Sequence, residues 1–190
     1  MKHLKMLALA SLTAAAVLGA SGTASATTLT SPAGTTLVKG SMIKAQSEGH
    51  TVLDSVIGKI ECSVGGEGEL TDAGSATETT EGEVFFGTFS CTSAAVTVVK
   101  TGTAELHSLG SGKGTLTGSG TEVTVQTFGL HCIFTTNATT LGTVTGGTPA
   151  TLQISATIPR TGGSSGAFCG ASAPYTGKIK VTSPGTLLID

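Results

Sequence analysis

Tryptophan is absent from these 190 residues, and a single tyrosine, Tyr175, leaves almost no ring with an apolar body and a polar tip. Sugar-binding surfaces stack their ligands on such rings, so a carbohydrate platform is disfavoured. The missing tryptophan also removes the buried ring that marks antibody domains between their paired cysteines. Charged residues make up only 12% of the chain. They form no basic cluster of the kind that nucleic acid requires. No 11-residue window keeps an apolar stripe at helical spacing, which argues against a helical domain.

Motifs that organise chemistry are equally scarce. His50, His107 and His131 stand alone, with no H-x-H or H-E-x-x-H spacing, and no C-x-x-C pair is present, so no metal site is expected. Gly110-Ser111-Gly112-Lys113-Gly114 lacks the Ser or Thr that must follow Gly-Lys in a phosphate loop, and reads as a hairpin turn. Gly162-Gly163-Ser164-Ser165-Gly166 matches the G-x-S-x-G of hydrolase elbows. That motif needs a strand before it, a helix after it and a later histidine, whereas every histidine here precedes Ser164. A surface loop is the better reading, and no catalytic residue, metal or cofactor is assigned. Asn137-Ala138-Thr139 fits an N-glycosylation acceptor, which matters only in a host with that machinery.

What is present begins with an export signal. Lys2, His3 and Lys5 give a positive start, Met6 to Ala20 an apolar stretch, and Ala24-Ser25-Ala26 a cleavage site. The apolar stretch is shorter than the roughly 20 residues of a membrane span. No cysteine follows the site to carry a lipid, and no twin arginine precedes it, so the general secretory route is expected. Residues 1–26 are therefore read as a signal and 27–190 as one domain, secreted or surface-associated, without a transmembrane segment. That domain carries eight Lys and Arg against all twelve acidic residues, a formal charge of −4.

Cys62, Cys91, Cys132 and Cys169 all lie in the mature part, and an even count in an exported chain implies two disulfides. Three connectivities are possible. Cys62–Cys91 and Cys132–Cys169 are favoured because each closes a short loop, for which chain-entropy reasoning gives about 3–4 kcal/mol per bridge.

Strand signals dominate the mature chain. In Thr151 to Ile158, Leu152, Ile154, Ala156 and Ile158 alternate with polar residues, as in a strand buried on one face. Tyr175, Ile179 and Val181 oppose Lys178 and Lys180 in the same way, and Phe85, Phe89 and Cys91 share a phase. Between Glu122 and Phe134 the apolar phase shifts from odd positions to even ones, which predicts a bulge or bend near Thr127, with Cys132 inward and His131 outward. Gly- and Pro-rich breaks at 31–34, 110–114, 146–149 and 161–166 separate the runs. The expected fold is all-β: an antiparallel β-sandwich, immunoglobulin-like, with about nine or ten strands. Glu61, Glu67, Glu69, Asp72, Glu78, Glu81 and Glu83 fall in one stretch without Lys or Arg. No calcium-loop pattern organises them, and they read as a charge-blunted sheet edge.

The runs Phe128-Gly129-Leu130-His131-Cys132-Ile133-Phe134, Ile158-Pro159-Arg160-Thr161-Gly162-Gly163, Phe168-Cys169-Gly170 and Tyr175-Thr176-Gly177 resemble a group of exported, largely uncharacterised actinobacterial four-cysteine proteins. The likeness covers nearly the whole mature chain and implies no catalytic residues. More distantly, the Thr/Gly-rich layout is similar to the exported alkane-oxidation activator family, which implies a link to surface adhesion. Together these readings predict a secreted or cell-surface structural or adhesion module without catalytic activity, whose partner is an envelope component or a second copy. The alternative is an extracellular carrier of a small apolar ligand, with a pocket around Phe85, Phe86, Phe89 and Phe128. A hydrolase is the third and weakest reading.

Overall fold

The computed structural model describes residues 28–31, 34–74, 79–163 and 168–190, without the side chains of 84–88. The predicted signal segment and Ser164 to Gly166 lie outside the described residues. Among the described residues, runs rich in Thr and Val, broken by glycine, form fourteen strands: β1 (Leu29–Thr30), β2 (Met42–Ser47), β3 (Thr51–Ser55), β4 (Gly58–Asp72), β5 (Thr80–Cys91), β6 (Ala95–Lys100), β7 (Gly102–Gly110), β8 (Lys113–Ser119), β9 (Glu122–Thr127), β10 (Leu130–Thr135), β11 (Thr139–Thr145), β12 (Thr151–Gly162), β13 (Ser172–Ser183) and β14 (Leu188–Ile189).

The all-β, antiparallel expectation holds, while the count of nine or ten strands and the immunoglobulin-like sandwich give way to a closed barrel. Its ring runs β13, β3, β4, β5, β7, β8, β11 and β12, and then returns to β13. The long β12–β13 ladder, from Thr151↔Lys180 to Pro159↔Ser172, makes the closure. A sandwich keeps two open sheets, whereas here each wall strand finds a partner on both sides.

One wall position is shared. Both β2 and β3 pair with β4, β2 against Gly65–Glu69 and β3 against Gly58–Cys62. They are two halves of a strand interrupted at Glu48-Gly49-His50, where Gly49 takes a φ of 83°. The break is held by Lys178 Nζ, 2.7 Å from Glu48 Oε2. That hydrogen bond and the lysine charge hold the Glu48 carboxyl below the usual carboxylate range.

At one end the wall divides. β5 pairs with β7 only as far as Val84↔Gly102, and its remaining residues pair with β4 alone. There β6, β9 and β10 form a three-stranded flap, joined to the barrel through Ile133↔Gly162 and Phe134↔Arg160. The phase change between Glu122 and Phe134 is a hairpin and not a bulge: Thr127↔Leu130 closes the turn Phe128-Gly129, whose φ values are 47° and 76°. Gly110 to Gly114 is the hairpin turn read from its sequence, joining β7 to β8.

Two buried clusters fill the ends. One gathers Val64, Val125, Phe134, Ile158 and the cysteines, with Phe89 and Val96 packed against them. The other joins Leu70, Leu106 and Val144 to Leu29, Leu187 and Ile189. The last three come from β1, β14 and the bridge preceding β14, a clasp in which Thr28 and Asp190 exchange backbone hydrogen bonds.

The acidic run is not a sheet edge. β4 and β5 are interior wall strands, so Glu67, Glu69, Glu81 and Glu83 lie on the outer face, with Glu69 opposite Glu83 and Asp72 opposite Glu81.

Candidate functional site

A cavity of about 290 Å³ lies inside the barrel between the two clusters. Its origin is a shortage of side-chain volume. An eight-stranded barrel is just wide enough either to be filled by its inward residues or to hold one small ligand. On β4 the inward positions run Ile60, Cys62, Val64, Gly66, Gly68 and Leu70, so two successive ones carry no side chain. Ala104 on β7 continues the thin region, whereas at Gly82 on β5 and Gly118 on β8, which also line the cavity, the Glu69 backbone and the Leu141 side chain already fill the place a side chain would take. The opposite wall supplies Leu152, Ile154, Ile158, Ile179 and Val181. These aliphatic chains cannot reach across to fill the gap.

Polar groups in the cavity wall are already satisfied. Thr51 Oγ1 donates to the Cys62 carbonyl at 3.1 Å, and the Tyr175 hydroxyl is hydrogen-bonded to Thr51. Burial pushes the Tyr175 phenol above its ordinary value, and the Thr51 bond offsets this only in part. The Thr121 amide donates to Thr136 Oγ1 at 3.0 Å. Among the described residues no buried side-chain nitrogen or oxygen lacks a partner. The interior therefore asks nothing polar of an occupant, and a polar occupant would be desolvated there without reward.

The residues singled out in the sequence fall in several places. Cys62 is bonded to Cys91, and Cys132 to Cys169, the two pairs favoured by loop length. Cys62 and Cys91 are direct cross-strand partners, and Cys62 borders the cavity. Of the aromatic residues assigned to a ligand pocket, Phe89 lines the cavity, and the side chains of Phe85 and Phe86 lie outside the described set. Phe128 is a correction: it sits on the tip of the β9–β10 hairpin, 90% exposed, because the two-residue turn swings it out of the ladder. His107 faces Glu105 at 3.5 Å on the half-exposed outer surface. Asn137 is exposed at the β10–β11 turn. Among the described residues no three His, Cys, Asp or Glu gather as metal ligands, and no helix is long and apolar enough to cross a membrane.

Sequence reasoning missed most of the cavity wall, since it sought the pocket where aromatic residues were, and the space lies where side chains are small. The signal was there in the alternation of β4, whose inward phase passes through Gly66 and Gly68.

A second feature marks the disulfide-bonded end. Phe128, Phe168 (65% exposed) and Val56 (74% exposed) project there. Gly170 passes so close to Val56 that a side chain at 170 would collide with it, and the Cys132–Cys169 bridge ties Phe168 to the hairpin carrying Phe128.

No family model, no curated protein and no solved structure matches this chain.

Proposed function

We propose that the mature protein is an exported, non-catalytic carrier that holds one small apolar molecule inside its barrel. The observation that carries this reading is the apolar cavity of about 290 Å³ within the barrel, formed where Gly66, Gly68 and Ala104 leave the wall thin. A dry cavity of about 150 Å³ already accommodates benzene or xenon, and drug-sized pockets begin near 300 Å³. The two disulfides support an oxidising compartment, in keeping with the signal segment read from residues 1–26.

Native mass spectrometry of the protein recovered after export tests the reading, with xenon uptake followed by ¹²⁹Xe NMR as a control for the cavity itself. A bound apolar mass in the wild type, displaced in Ala104→Leu, is expected. That variant should also gain about 1 kcal/mol of stability by filling space. An exported protein with no adduct and no xenon uptake would overturn the carrier reading.

The surface or adhesion module stands as a second reading, supported by Phe128, Phe168 and Val56 at one end. A bulky residue at positive φ costs free energy, and such strain clusters at functional positions. Under this reading Phe128→Asn would reduce co-fractionation with the cell envelope and improve the hairpin. Unchanged fractionation would argue against it.

A further inference from the structure

We infer that the disulfide-bonded end of the barrel docks on a lipid bilayer, inserting Phe128, Phe168 and Val56 among the lipids. This rests on the surface reading of the same residues, gives that surface a partner of stated chemistry, and makes no use of the cavity.

The three residues share one end because the strands behind them run into it together. β3 pairs with the start of β13 through Leu53↔Tyr175, so the β3–β4 turn carrying Val56 lies beyond Ser172. β10 runs antiparallel to β12 through Phe134↔Arg160 and Ile133↔Gly162, so the β9–β10 turn carrying Phe128 lies beyond Gly162. Phe168 belongs to the connection between β12 and β13 themselves. Each stands on its own turn and is braced from behind: Phe128 by the two-residue hairpin, Phe168 by the bridge from Cys169 to Cys132, and Val56 by close packing against Gly170. Tips preset in this way lose little freedom on binding. The Phe128 ring, 90% exposed, adds nothing to the core, and its backbone holds a φ of 47°, where asparagine or glycine would cost less. Strain and exposure at one tip together point to a role outside the fold.

Charge selects lipid as the partner. Besides His131, the strand residues leading into these turns contribute Asp54, Lys59, Glu61 and Arg160. Asp54 and Lys59 face each other across β3–β4, and Arg160 Nε donates to the Gly170 carbonyl at 2.6 Å. Two acids and two bases cancel. The excess of four negative charges therefore lies on the rest of the mature chain, where ten acidic residues outnumber six Lys. At the clasp end the exposed apolar residues are mixed with acid: Met42 faces Glu69 across β2–β4, and Leu188 lies two residues from Asp190. An anionic bilayer surface repels that end and the acidic outer wall, which leaves the disulfide-bonded end as the face of approach. A folded protein would need three matching pockets for tips on three turns. Fluid lipid yields to each tip separately, and apolar side chains that leave water for it gain free energy in proportion to their area. Binding by an end without net charge is driven by burial and not by headgroup charge.

Flotation of the oxidised mature protein with phosphatidylcholine vesicles tests this. Binding is expected, should not strengthen when about a third of the lipid is phosphatidylglycerol, and should survive about 0.5 M NaCl. Phe128→Asn, with a residue suited to positive φ, should weaken partitioning about tenfold, and Phe128→Asn with Phe168→Ser about a hundredfold, the scale of one and two buried aromatic side chains. Leu109→Ser, at a comparably exposed position beside the β7–β8 turn of the opposite end, should leave it unchanged. Equal loss in Leu109→Ser, indifference to both phenylalanines, or a requirement for phosphatidylglycerol would overturn the proposal. A dimer in sedimentation that Phe128→Asn dissociates, without vesicle binding, would place a second copy on this end and overturn it too. A wild type that ignores vesicles while Phe128→Asn still lowers envelope co-fractionation would defeat the lipid partner alone, whereas unchanged co-fractionation as well would defeat the surface reading.

Discussion

The two ends of the barrel are stopped by different chemistry. At the flap end, both disulfides sit within or beside the buried cluster, and Phe134, Val125, Cys132 and Cys169 are fully enclosed. The other end carries no disulfide. Leu29, Leu187 and Ile189 plug the opening from short terminal segments, held by a two-rung strand pair and a few backbone bonds. A covalent bridge acts largely by restricting the unfolded chain, whereas an aliphatic plug acts by burial in the folded state. The flap end should therefore depend on redox conditions, and the clasp end on the fit of a few leucines.

Removing the bridges should have the largest effect. Cys132→Ser with Cys169→Ser is expected to cost about 3–4 kcal/mol in a thermal melt, a large share of an ordinary domain's stability. Hydrogen exchange should then rise in β9 and β10 before it rises in β1 and β14. Equal loss at both ends would erase the contrast. Leu187→Ala should cost about 2–3 kcal/mol from the opposite end, and its effect should add to that of the cysteine variant, because the sites share no neighbours.

Between the ends, Tyr175 offers a pH test. Its phenol is raised by burial, so the neutral form is favoured in the folded protein. The unfolded chain then releases this proton first, and stability, fully present below the ordinary phenol pKa near 10, falls as pH rises through and beyond it. Tyr175→Phe should flatten that alkaline loss and change stability at pH 7 by no more than about 1 kcal/mol. Chemical denaturation at pH 7 and pH 11 measures both. The smallest effect belongs to the outer face: Glu81 lies across from Asp72 on one side and Glu105 on the other. Glu81→Thr should stabilise by about 0.5 kcal/mol at low salt, with the gain fading as salt is added.

Local structure was the legible part. The alternation from Leu152 to Ile158 marked β12 correctly, since one face of that strand meets the core throughout. The odd-to-even switch after Val125 was visible too, but a two-residue hairpin and a bulge produce the same change of phase. Asn-Gly or Asp-Gly would have announced the turn, and Phe128-Gly129 conceals it because phenylalanine seldom adopts positive φ. Ring closure was out of reach, for it depends on the shear and length of the β12–β13 ladder. The cavity was hidden for a related reason. Gly66 and Gly68 look like weak strand formers in isolation, and become missing volume only once the closed wall turns them toward the same interior as Leu152 and Ile179.

That closure also bears on how the protein fares at high concentration. A ring leaves little unpaired backbone for another molecule to copy: among the described strands of the large sheet, β5 beyond Val84 pairs with β4 alone, and β6 keeps a single hydrogen-bonded neighbour along its whole length. Its sequence, Ala95-Val96-Thr97-Val98-Val99, is uncharged and rich in β-branched residues, with Lys100 as the first gatekeeper. If this protein ever seeds fibrils, growth should start from that one margin.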